Sequence, residues 1–194
     1  MMAIHAPKPG DGKEYVQCPR GTYSAVCVDV VDLGMKDTGF RDDKTGQPRM
    51  AHKIRLVWQV NKNMDDGRPY LMDNRYTLSL SEYMGKKSNL LSLVEAWGVD
   101  LMDLIDDTNE YDMERLIGRV CFLNVVHAPS KKDPSKVYAN LASIMPLPEG
   151  MPAMKQRDYV RVTARPTVAK PAPHEDEVDD FPPMAPVGDD DIPF

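Results

Sequence analysis

Between Met50 and Val60 the chain alternates with a period of two. Ile54, Leu56, Trp58 and Val60 share one side, and Lys53, Arg55 and Gln59 share the other. The pattern predicts a half-buried strand with a basic outer face and favours Trp58 in the core, a stacking platform being its alternative. The run from Tyr23 to Leu33, introduced by Gly21-Thr22 and closed by Gly34, is rich in Val, Tyr and Thr and predicts another strand. Its alternation is imperfect, which points to a bulge. Residues 35–49 are polar, contain Gly39, Gly46 and Pro48, and predict a loop. After a turn over Asn63 to Pro69, the run from Tyr70 to Leu80 predicts a third strand. There Tyr76, Leu78 and Leu80 face one way, and Arg75, Thr77 and Ser79 the other.

The period then changes. Leu90, Leu91, Leu93, Val94 and Trp97 form the apolar stripe of a helix, with Ser88 or Asn89 as N-cap and Gly98 just beyond its end. Residues 99–118 carry short helical signals and many acids. Two further strands follow, Arg119 to His127 and Lys136 to Met145, joined by a loop that holds Lys131 and Lys132. After Pro146 the composition shifts, and ten of the 17 prolines lie at or beyond that point. The expected organisation is a flexible arm over 1–20, a folded domain over 21–148, a basic Pro-containing linker over 149–173 and a disordered acidic tail over 174–194. Within that linker Tyr159 to Thr163 could dock as a short strand. Three strands, a helix and two strands match a mainly β fold, the OB-fold: a five-stranded Greek-key barrel with its helix between strands 3 and 4. An α+β sheet of another topology is the alternative.

Charge changes the picture more than composition does. The formal net charge is -6, which by itself argues against a polyanion as ligand. Residues 174–194 hold eight acids and no Lys or Arg, so the remainder has 24 basic side chains against 22 acidic ones. A mildly basic body and an acidic tail are different objects from a uniformly acidic protein. Cys18, Cys27 and Cys121 are odd in number and widely spaced, which predicts free thiols. The cysteines and four histidines lack metal-ligand spacing, so neither a metal nor another cofactor is expected. Neighbouring acids such as Asp65–Asp66 and Asp106–Asp107 are ordinary turn residues, and no phosphate-binding loop, zinc-protease motif or nucleophile elbow is present; the expectation is a non-enzymatic protein. No apolar run reaches membrane-spanning length and the N-terminus has no signal-peptide character, so a cytoplasmic location is expected.

The basic strand faces and loops suggest a partner that is anionic and flat. Binding single-stranded nucleic acid needs cations that follow phosphates and side chains on which bases stack. The cation candidates are Lys53, Arg55, Arg75, Lys131, Lys132 and Lys136; the stacking candidates are Phe40, Phe122 and Tyr138. For Phe122 and Tyr138 a core position is an equal alternative.

The last six residues, Asp189, Asp190, Asp191, Ile192, Pro193 and Phe194, place three carboxylates ahead of a small apolar hook. This segment resembles the acidic tip of bacterial single-stranded DNA-binding proteins. A second resemblance spans roughly residues 20–150. It rests on Gly21-Thr22-Tyr23 through Val31-Asp32-Leu33-Gly34, Tyr76-Thr77-Leu78-Ser79-Leu80, Cys121 to His127, and Tyr138-Ala139-Asn140 to Pro146-Leu147-Pro148. These runs resemble phage-encoded single-stranded DNA-binding proteins of the OB type. The resemblances imply a protein that coats single-stranded DNA during phage replication and recombination in a bacterial cytoplasm. The tip would capture replication, recombination or repair proteins, with an aromatic pocket for Phe194 and a basic rim for the carboxylates. A strand-annealing recombination protein and an adaptor that captures host proteins without tight DNA binding are the alternatives. Homo-oligomerisation stays open.

Overall fold

The computed structural model describes residues 16–130 and 133–164. The protein is mainly β. Five strands form one antiparallel sheet: β1 (Gly21–Arg41), β2 (Pro48–Asn63), β3 (Pro69–Thr77), β6 (Val120–Pro129) and β7 (Val137–Met145). Their spatial order is β3-β2-β1-β6-β7. A separate two-stranded hairpin, β4 (Glu82–Tyr83) and β5 (Lys86–Lys87), precedes the helix α1 (Asn89–Ala96).

The alternation of β2 works as its sequence predicts. Ile54, Leu56, Trp58 and Val60 are buried on the inner face, with Cys27, Met72, Tyr76, Leu123, Val125 and Ile144 from neighbouring strands. Trp58 lies against Trp97 of the helix end, with ring centroids 6.0 Å apart. The Ser88 hydroxyl caps α1 by accepting from the Leu91 amide at 3.3 Å. Gly98 N–H donates to Glu95 and Val99 N–H to Val94, closing the other end with paired bonds to its free carbonyls. The helix packs on β3 and β7 together, across the opening between the two edges of the sheet. Those edge strands approach one another, but no ladder pairs them. The sheet is therefore open.

The expected loop over 35–49 is the main departure. β1 and β2 run on as a two-stranded ribbon that continues to Arg41 opposite Pro48. Two Asp-x-Gly units account for the difference. The Asp32 carboxylate accepts from Gly34 N at 2.7 Å, and that of Asp37 from Gly39 N at 2.8 Å. Both glycines have positive φ, and a register shift accompanies each unit. Residues that end strands elsewhere here make bulges that the chain passes through. The true turn is confined to residues 42–47, where Asp42 accepts from the Lys44 and Thr45 amides. The third strand ends at Thr77 rather than Leu80. The short helical signals of 99–118 are two 3-10 turns, Leu101–Leu104 and Met113–Leu116.

Both ends of the described chain differ from expectation. In the arm expected to be flexible over 1–20, Gln17 donates to Val137 O and His127 bonds Cys18 O at 2.8 Å. In the segment expected to be a linker, residues 154–164 dock across the outer face of the sheet, ending in a 3-10 turn, Val162–Ala164, rather than a strand.

Candidate nucleic-acid interface

The outer face of the sheet is divided in two. On β1 a bulge between Cys27 and Asp29 brings Val26, Val28 and Asp29 all to this side. Val26, Val28, Val31 and Val57 form a second small core, covered by Met154, Tyr159 and Val162. Asp29 is fully buried beneath this strap. Its carboxylate accepts from Tyr159 Oη at 3.0 Å, Arg161 Nε at 3.1 Å and the Val162 amide at 2.7 Å. Burial pushes the Asp29 pKa up, but the Val162, Arg161 and Tyr159 donors together outweigh it and hold the group below the ordinary carboxylate value. Arg161 is raised by Glu114 first and Asp29 second. Next to this clasp the buried Gln59 amide takes the place of a strand partner, donating to Arg157 O and accepting from Arg157 N at 2.7 Å. A shallow groove of about 350 Å³ runs beside the strap, bounded by Ser24, Asn61, Met154, Lys155 and Arg157.

The other half of the face is uncovered by the strap and basic. Arg55 on β2 stands directly opposite Arg75 on β3, and Lys53 follows opposite Thr77. Like charges at opposed positions destabilise a sheet. Asp73 lies opposite Val57, one step away on the same face. Burial raises its pKa more than Arg55 and Arg75 lower it. Arg55 Nε is buried and has no hydrogen-bond partner among the described residues. A buried donor in that state needs an acceptor from elsewhere. Among the described residues Lys53 Nζ reaches the Asp37 carbonyl, at 3.5 Å.

Beyond Lys53 the two strands continue as the ribbon. Phe40 near its end is 72% exposed; Met35 and Met50 are also exposed, in phase with Ile54 and so on the side opposite Lys53. Lys36, Arg41, Lys44 and Arg49 lie along the ribbon. Arg49 pairs only loosely with Asp42, at 3.9 Å.

The remaining sequence candidates lie elsewhere. Phe122 and Tyr138 are half-buried on the outer face of β6 and β7, out of phase with the inner core of those strands. They do not join the arginines. Phe122 pairs across from Ser24 and Arg55 from Val31, so roughly 20 Å of sheet separates them, and the strap crosses between. Lys136 is exposed and pairs with Asp133 at 3.6 Å. Lys131, Lys132 and the tip Asp189 to Phe194 lie outside the described residues.

The cysteines are free and buried. Burial pushes the Cys18 thiol up to about 11 and Cys27 up to about 12. Among the described residues no cluster of three or more His, Cys, Asp or Glu has metal-binding geometry. No helix there is long and apolar enough to cross a membrane.

Sequence reasoning misses the clasp and the ribbon. Asp29 is visible as a lone acid inside a run of valines, a position that needs a buried partner. The Tyr159 and Arg161 that answer it are more than a hundred residues away. A scan against protein-family models and a search of curated proteins both return no match.

Proposed function

We propose that this chain is a sequence-independent single-stranded DNA-binding protein, built on the OB plan and without catalytic activity. The strand order β3-β2-β1-β6-β7, with a helix between β3 and β6, fits a five-stranded Greek-key barrel left open between its third and fifth strands. In that plan ligands cross strands 2 and 3 and the loop joining strands 1 and 2. Here those places hold Lys53, Arg55 and Arg75, then the ribbon with Phe40.

The observation that carries the reading is the opposed Arg55 and Arg75 pair with the unpartnered Arg55 Nε. A phosphate between the guanidiniums would supply the missing acceptor and remove the repulsion. Phe40, exposed on the ribbon, then offers a face for a base. Phe122 and Tyr138 belong to the path only if the strand continues around the strap. The place in phage replication and recombination, and the capture of partner proteins by Asp189 to Phe194, rest on the sequence resemblance.

Titration of the full chain with a labelled poly-dT oligonucleotide at low salt tests the proposal. Binding that tightens with length supports it. No binding to single strands, with partner capture intact, favours the adaptor reading.

A further inference from the structure

The hairpin β4–β5 is built more firmly than its size requires. Glu82 pairs with Lys87 and Tyr83 with Lys86. Met84 and Gly85 occupy the turn, both at positive φ (49° and 75°), the geometry of a two-residue type I′ turn. Its base is fastened to the helix N-terminus. Ser88 N–H donates to Ser81 O at 2.9 Å, the Ser88 hydroxyl to Ser79 O at 2.6 Å, and Lys87 Nζ donates to both Glu95 oxygens at 2.7 and 2.8 Å.

The side chains at the tip of this base stand out into solvent. Tyr83 is 77% exposed and Met84 85% exposed. A type I′ turn favours Asn or Gly at its first central position, and a side chain such as Met at positive φ is strained there. An observed outlier of this kind is a reason to look for function. The position is also telling. The segment leaves β3 where Thr77 pairs with Lys53 and where the Leu78 amide donates to His52 O at 2.7 Å. The hairpin therefore follows directly from the Lys53 end of the basic face.

We infer that the hairpin Glu82–Lys87 binds a further stretch of the same single strand, with Tyr83 as a platform on which a base stacks and Lys86, directly across from it, on the phosphate side. The inference rests on the DNA-binding reading above and extends that site beyond Lys53. A flat ring beside a lysine, on a hairpin whose chain leaves β3 opposite Lys53, fits a nucleic acid better than the apolar groove of a protein partner.

The test uses Tyr83→Ala, Tyr83→Leu and Tyr83→Trp in the full chain, titrated with poly-dT. The side chain is exposed, so all three variants keep the fold. Tyr83→Ala and Tyr83→Leu are expected to weaken binding by about fivefold or more, as expected when one base no longer stacks, and Tyr83→Trp to retain it. Trp58 and Trp97 are buried, at 0% and 2% exposure, so the new indole is the one accessible to iodide among the described residues. Poly-dT is expected to quench it and shield it from iodide. Unchanged affinity in Tyr83→Ala with no quenching in Tyr83→Trp, while the native chain binds, overturns this inference alone. Weakening in Tyr83→Ala that Tyr83→Leu restores overturns stacking as its cause. A native chain that does not bind poly-dT overturns the DNA-binding reading and this inference with it.

Discussion

The two halves of the outer sheet face both carry charge, and they treat it in opposite ways. Asp29 is fully buried, and three donors from the strap meet its carboxylate. Arg55 lies partly open, faces another arginine, and keeps a buried Nε with no partner among the described residues. A buried charge with its partners supplied from within the chain serves the fold. An arginine that faces another arginine, with Asp73 beside them and a buried Nε unmet among the described residues, keeps a donor for a ligand. The same sheet thus separates a structural polar cluster from a candidate ligand site, and the strap marks the border.

The largest expected effect breaks the structural half. Arg161→Ala leaves the Asp29 carboxylate with two donors and no countercharge, and should cost about 3 kcal/mol of stability. Denaturant unfolding would show it as a lower midpoint, while the salt dependence of poly-dT binding stays as in the native chain. A parallel failure of DNA binding in the folded variant would erase the distinction between the halves.

Acid should loosen the same clasp. Asp29 has a depressed folded pKa, so its contribution is present above the ordinary carboxylate range and is lost as pH falls through the folded value. The Val162 amide should be protected from hydrogen exchange at neutral pH and lose protection in acid. Protection that persists well below the carboxylate range would contradict the role given to Asp29.

The opposite variant, Arg55→Ala, removes a like-charge pair but also one of the two cations beside Asp73, so it should cost less stability than Arg161→Ala, with poly-dT affinity reduced. A drop in stability without any change in affinity would make Arg55 another structural charge.

A smaller effect concerns the tail, which lies outside the described residues. Deleting residues 174–194 removes eight acids. It should raise poly-dT affinity at low salt and change little at high salt, where screening already weakens competition for the basic face. Equal affinity at low salt would separate the tail from the site.

How far the sequence can be read follows from the range of each interaction. Local periodicity places β2 and α1 well, because Ile54 to Val60 and Leu90 to Trp97 state their own geometry. The inner core, including Trp58, follows from the same periods. The cation candidates Lys53, Arg55 and Arg75 fall on one outer face because strand phase alone decides it; their direct opposition depends on the pairing of β2 with β3. The ribbon resembles a loop in sequence because Asp-x-Gly ends one strand and bulges another, and only the pairing partner distinguishes them. The strap resembles a linker because its anchors are single residues, Arg157, Tyr159 and Arg161, without periodicity of their own. For Phe122 and Tyr138 the sequence leaves core and surface equally open; the phase of β6 and β7 puts them outside, yet away from the arginines.

The most direct test of the central claim is the salt dependence of poly-dT binding, measured for the native full chain and for the Arg55→Ala, Arg75→Ala double variant. The account predicts that log K falls linearly with log salt for the native chain, and that the double variant has a slope shallower by about 0.7 for each phosphate it no longer neutralises. Identical slopes in the two proteins would contradict it.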